Sequence, residues 1–193
     1  VFDTSFYTQM EPKNYIYAVP YEWYEKYQVR RYGFHGTSHR FVSNKVAELM
    51  GKPLEELKVI TCHAGNGSSI TAIKDGHAID TSMGFTPLDG IMMGTRSGAI
   101  DPAIVPYIMD KEGMTPAEAE SYLNKKCGFL GISGISSDSR DLEKAMNEGN
   151  ERAKLAYDMK ATMAILNEDG IINLRNARHP LIDKKKVVPT NIS

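Results

Sequence analysis

The sequence has almost no net charge: 23 basic residues face 24 acidic ones, a formal balance of −1 over 193 residues. Nothing electrostatic therefore argues for nucleic acid or an anionic membrane as a partner. There is no run of roughly eighteen apolar residues and no signal-peptide pattern, so the expectation is a soluble, cytoplasmic protein. Cysteine is scarce: Cys62 and Cys127 are the only two, and they lack metal-ligand spacing, which favours reduced thiols. No G-x-x-x-x-G-K-S/T stretch occurs, which argues against a P-loop NTPase. Gly128 to Gly134 is glycine-spaced without being a dinucleotide-binding fingerprint.

What is present is an ordinary globular composition, 41% hydrophobic and 24% charged, enough for one sizeable core or two small domains. The centre of the pattern is Val59 to Ile73, two β-branched runs flanking Gly65-Asn66-Gly67. It predicts a hairpin with Asn-Gly at its tip, where Gly65 and Gly67 can take positive φ and leave no Cβ in a ligand's way. Either it is an ordinary hairpin or its amides form an anion nest, with the Asn66 amide and the Ser68 and Ser69 hydroxyls as further donors. A second turn at Asp75-Gly76 leads to a strand through Ile79.

Val1 to Phe6 reads as the inside of a strand, and a chain opening on Val1 in such a stretch is expected to be a piece of something longer. Tyr21 to Tyr27 is a short helical pattern whose aromatics suit packing better than a ligand platform. Thr37 or Ser38 can cap a helix running to Met50, with Phe41, Val42, Val46, Leu49 and Met50 as its apolar stripe and Gly51 as its stop. His35 sits just before that helix start, where backbone amides favour an anion; it is structural or a ligand contact on even terms. Thr81 to Pro102 is long, glycine-rich and irregular, which suits function. Its Arg96 is either a bidentate anion clamp or a surface residue. Helices are expected from Pro102 to about Lys111, from Thr115 to about Lys126, from a cap near Asp138 to about Asn147, and from about Asn150 to Ala161.

Five blocks in this order resemble the acetokinase family of acetate, propionate and butyrate kinases: Val1 to Phe6, Tyr32 to His39, His63 to Ser69, Gly94 to Gly98 with Ile100 to Ala103, and Ser133 to Asp138. The resemblance runs from Val1 to about Ala161. It implies an α/β, actin-like ATPase fold, incomplete here, with a mixed sheet flanked by helices. It also implies phosphoryl transfer from ATP to acetate with Mg2+, and a homodimer. By the same resemblance Asp3, His35 and Arg96 match the catalytic residues. His63, Ala64, Gly65, Asn66 and Gly67, with Asp138, Ser139 and Arg140, match the ATP-binding ones. The sequence departs from the family pattern at Ala64, where Leu is usual, at Ala99, where an acidic residue is usual, and at Ser139, where Phe is usual. The family's N-terminal domain and its magnesium ligands are expected to lie outside this chain.

Acetate is already ionised near neutral pH, so the site's task is charge neutralisation and in-line positioning rather than proton abstraction. His35 and Arg96 suit the equatorial oxygens, and Asp3 suits orientation of Arg96 or of a magnesium-bound water. Residues 162–193 read as an unrelated, chimeric tail: Leu166 to Asp183 and Val187 to Pro189 resemble a segment of MutS-type mismatch-repair proteins, and Lys184 to Lys186 suit a solvated turn better than a DNA contact. The expected readings are an acetate kinase-type phosphotransferase or a nucleotide-binding fragment of that fold without turnover, with little acetyl phosphate formed by this chain alone. A far weaker third is a nucleic-acid-linked module defined by the tail.

Overall fold

Two tight turns build the central sheet. In the computed structural model, which describes residues 2–163, 165–166 and 172–173, β1 (Lys58–Ala64), β2 (Ser68–Lys74) and β3 (His77–Thr81) form an antiparallel meander in the order β1-β2-β3. The register pairs Ala64 with Ser68, leaving Gly65-Asn66-Gly67 as a three-residue tip. Asp75 (φ 52°) and Gly76 (φ 80°) are both left-handed, the geometry that continues strand twist through a two-residue turn. All strand pairs among the described residues are antiparallel, where a mixed sheet was expected, because each strand follows its neighbour through a connection too short for a parallel crossover.

The stretch read as an opening strand is instead a 3-10 helix, Asp3–Tyr7. Tertiary contacts decide this: Tyr7 is fully buried, its hydroxyl donates to the Phe34 carbonyl at 2.5 Å, and it meets Thr71 Oγ1 at 3.2 Å. Two short helices follow, α1 (Pro12–Tyr15) and α2 (Tyr21–Tyr27). The aromatics of α2 contribute little to the core, since Tyr21, Trp23 and Tyr27 are exposed; Tyr24 meets Tyr15 at a ring-centroid distance of 5.8 Å.

The next helix, α3 (Gly36–Met50), begins two or three residues earlier than a Thr37 or Ser38 cap would set and is capped by neither. His35, held at φ 57°, is its N-cap residue. Its open amides are met from a distance: the Asp3 carboxylate accepts from the His35 amide at 2.5 Å and from the Thr37 amide at 3.3 Å. The buried face of α3 is Gly36, His39, Ser43 and Ala47, whereas Phe41, Leu49 and Met50 of the expected apolar stripe are exposed. Small and polar residues thus face the sheet, and Ala47 packs with Leu54, Leu57 and Ile73.

Residues 82–103 carry no helix or strand, yet Met83, Ile91, Met92 and Met93 are buried. This loop is stitched on both sides. The Gly94 amide donates to the Asn66 carbonyl at the hairpin tip (3.0 Å), and the Phe129 and Leu130 amides donate to Met93 and Gly94 carbonyls (2.9 and 3.0 Å). Beyond it lie α4 (Ile104–Glu112), α5 (Pro116–Lys125), α6 (Gly128–Ser133), α7 (Ser139–Asn147) and α8 (Glu151–Met163). The expected caps hold: Thr115 and Glu118 form a reciprocal capping box, and the Asp138 carboxylate accepts from the Arg140 amide at 2.9 Å. A second core joins Met92, Phe129, Leu142, Ala153 and Ala156, drawing α6, α7 and α8 onto the loop. Two short strands, β4 (Ile165–Leu166) and β5 (Ile172–Asn173), pair with each other. The remaining residues of the expected unrelated tail, Lys184 to Lys186 and all of the mismatch-repair-like segment but Leu166, Ile172 and Asn173 included, lie outside the described residues. Among the described residues no helix is long and apolar enough to cross a membrane.

Candidate functional site

The hairpin tip is the meeting point of segments distant in sequence. A Cβ on Gly67 would stand 3.3 Å from both Arg96 Nη1 and His35 Nε2, so the irregular loop and the start of α3 converge on that one residue. Neither Gly65 nor Gly67 has positive φ, contrary to the conformational reading of the sequence; what Gly67 supplies is space. The Gly65 amide donates to the Gly67 carbonyl at 3.0 Å, closing the three-residue loop. Ser68 and Ser69 are fully buried and are not spare donors as expected: Ser68 Oγ donates to the Gly65 carbonyl at 3.1 Å, and Ser69 Oγ is held between two histidines.

Those histidines form the electrostatic centre of the cleft. His35 stacks on His63 with centroids 4.0 Å apart and planes at 24°. His35 Nδ1 lies 2.9 Å from Ser69 Oγ, and the same oxygen lies 2.7 Å from His39 Nε2; His39 Nδ1 meets Thr61 Oγ1 at 2.7 Å. His63 Nδ1 is held by Ser38 Oγ at 2.9 Å. Burial lowers the His35 pKa, and the nearby His63 and Arg96 lower it further while Asp3 opposes them. Burial also pushes His39 down to about 4, helped by its two histidine neighbours. Both rings are therefore neutral at neutral pH. Arg96 has no carboxylate partner among the described residues; its Nη1 lies 3.8 Å from Met93 Sδ. A half-exposed guanidinium beside a neutral imidazole, at the rim of a glycine tip, has the donors that an anion would need.

On its other flank the tip opens into a cavity of about 650 Å³ lined by Ala64, Gly65, Asn66, Ser137, Asp138 and Ser139, with Phe129, Tyr157 and Lys160 behind them. The hairpin and the Asp138 block, read separately in the sequence, thus share one cavity. Asp138 is paired with Arg140 through Nη2–Oδ2 at 2.5 Å and Nε–Oδ1 at 3.0 Å, which holds its carboxyl down at about 2. The Arg140 side chain points along the exposed surface with this pair and does not line the cavity.

A family model described as the acetokinase family matches residues 1–165. The chain belongs to the acetokinase family. It is 65% identical over 161 residues to the acetate kinase of Dictyoglomus turgidum, a match that covers 83% of this chain and 40% of that protein. Among solved structures, acetate kinase from Porphyromonas gingivalis superposes with a TM-score of 0.82 at 51% identity, over 84% of this chain and 41% of that one. A propionate kinase from Francisella tularensis gives a TM-score of 0.80 at 47% identity, over 83% and 41%. The chain thus spans about two fifths of the length of these relatives.

Within this acetokinase chain the structure brings Asp3, His35, His63, Gly67 and Arg96 to one side of the hairpin tip, and Ala64, Gly65, Asn66, Asp138 and Ser139 to the other. Sequence reasoning took Ser38 for a helix cap and Ser69 for an anion donor where both hold imidazoles, and it missed His39 and Thr61 in that network and Lys160, which lines the cavity. The available signal for His39 was its i+4 spacing from His35, which sets both on one helix face. Lys160 carried no sequence signal.

Proposed function

We propose that this chain holds the nucleotide and phosphoryl-transfer side of an acetate kinase-type phosphotransferase, ATP + acetate to ADP + acetyl phosphate. The observation that carries the reading is the convergence of Arg96 Nη1 and His35 Nε2 on Gly67, beside a cavity able to take the rest of a nucleotide. An acetate oxygen attacks the γ-phosphorus as the bond to the β–γ bridging oxygen breaks, and that electron pair leaves with ADP. No proton has to be removed from acetate, so neutral His35 serves as a hydrogen-bond donor from Nε2, with Nδ1 accepting from Ser69. Arg96 neutralises charge on the equatorial oxygens. Asp3, with both oxygens taken by the His35 and Thr37 amides, positions the His35 ring rather than accepting a proton.

Mg2+ belongs to this reading through the nucleotide's own phosphates. Among the described residues no group of three His, Cys, Asp or Glu side chains could hold a metal, and no step is routed through the ion. The cytoplasm and a homodimer complete the proposal on the family likeness alone, and residues 162–193 are proposed as a separate tail.

The cavity beside the hairpin tip, taken by itself, supports a second reading, a nucleotide-binding unit without turnover. Calorimetry with ADP, followed by acetate-dependent ADP release from Mg·ATP, separates the two. The first reading expects binding plus release that falls about a hundredfold or more in Arg96→Ala. Binding without release assigns the second, and no ADP binding overturns both.

A further inference from the structure

We propose that Lys160 is a phosphate-binding residue of the cavity beside the hairpin tip, its ammonium contacting the phosphate chain of a bound nucleotide. The proposal deepens the nucleotide reading above and rests on it. Lys160 reaches the cavity from α8, whose Ala153 and Ala156 are buried against Phe129 and Leu142 and fix the helix in place. Its Nζ donates to Ser68 Oγ at 3.0 Å. Ser68 is fully buried and spends its own proton on the Gly65 carbonyl, so this contact pins the ammonium directly against the base of the Gly65 to Gly67 loop. On another side the ammonium lies 4.8 Å from the centroid of Phe129.

An ammonium has three donor hydrogens, and these two contacts leave it without an anionic partner: no carboxylate among the described residues pairs with it. Among the described residues the one carboxylate lining the cavity, Asp138, is neutralised by Arg140. Burial alone depresses the Lys160 pKa, as expected for a cation held without a counter-charge. A half-buried, unpaired cation is a cost to the fold that an anionic ligand removes.

The surroundings select a nucleotide over a simple carboxylate. Ala64 and Ser139, both small, line the same cavity as Lys160 and the hairpin tip and leave it open beside the ammonium. Tyr157 and Phe129 supply apolar lining for the remainder of the molecule.

The test titrates the whole chain with ADP and, separately, with adenosine, comparing wild type with Lys160→Met, Lys160→Gln and Lys160→Arg by calorimetry. Loss of a charge-assisted hydrogen bond weakens ADP binding on the order of ten- to a hundredfold in Lys160→Met and Lys160→Gln. Adenosine affinity stays unchanged, and Lys160→Arg retains most of the ADP affinity. The melting temperature of Lys160→Met equals or exceeds that of wild type, a result that a purely structural lysine would not give. ADP affinity unchanged in both uncharged variants, or adenosine affinity falling in parallel with ADP, overturns the proposal alone. Wild type that fails to bind ADP overturns the nucleotide reading, and this proposal with it.

Discussion

His39 is 1% exposed and bonded through both ring nitrogens, to Thr61 and to Ser69, and Ser69 in turn holds His35. One hydroxyl proton on Ser69 cannot serve two acceptors, so with His35 Nδ1 accepting it, His39 Nε2–H donates to Ser69 and both rings carry their proton on Nε2. A depressed histidine pKa has a definite sign in stability. Between the ordinary value of 6.5 and the folded value of about 4, the unfolded chain binds a proton that folded His39 does not. The stability is fully present above 6.5, declines as pH falls, and is lost below about 4. That interval corresponds to about 3 kcal/mol. Urea unfolding of wild type and His39→Gln at pH 7, 5.5 and 4 should therefore show the gap between them closing by about that amount as pH falls. A gap constant with pH would mean that His39 contributes packing and hydrogen bonds without a titration.

At the scale of elements, two glycine turns do different work, and two substitutions separate them. Gly67 has no positive φ, so Gly67→Ala meets no backbone strain; its methyl instead presses on Arg96 and His35 at 3.3 Å. The expected outcome is a melting temperature within a few degrees of wild type and a large loss of nucleotide binding or transfer. Gly76, at φ 80°, carries the strain itself: Gly76→Ala should cost about 1 kcal/mol of stability and leave ADP affinity unchanged. Equal effects of both on binding would disprove the distinction. The same contrast explains what was legible. Local chemistry declared the hairpins, the Thr115 capping box, the Asp138 cap and the helices α4, α5, α7 and α8, because each is decided within a few residues, whereas α6 was not read as a helix. The start of the chain and the face of α3 were misread because long-range contacts decide them. Asp3 is drawn to α3, and the polar residues His39 and Ser43 are turned inward where periodicity favoured Phe41 and Leu49. Of the site, the motif residues were legible one by one, but the role of Ser69 between two histidines and the place of Lys160 at the cavity were not, since only the folded chain sets them.

At the scale of the molecule, the hydrophobic interior is divided. Ala47, Leu54, Leu57 and Ile73 pack α3 against the sheet, while Met92, Phe129, Leu142, Ala153 and Ala156 bind α6, α7 and α8 together. The irregular loop at residues 82–103 spans the gap, tied to the hairpin tip at Asn66 and to α6 at Phe129 and Leu130. The candidate nucleotide cavity lies at this seam, with the sheet's hairpin on one wall and Asp138, Ser139 and Lys160 on the other. A ligand in it touches both packed units and should hold them together, not merely order its own contacts. At a concentration of about 100 times its dissociation constant, ADP should add about 2.7 kcal/mol to the unfolding free energy. For a chain of this size that is a rise of about 5–10 °C in melting temperature. Hydrogen exchange should slow together at Gly65 to Gly67 and at Ser137 to Ser139, with the gain extending into α8. Protection confined to one wall would place the nucleotide on a single unit and end the claim that the seam is its site.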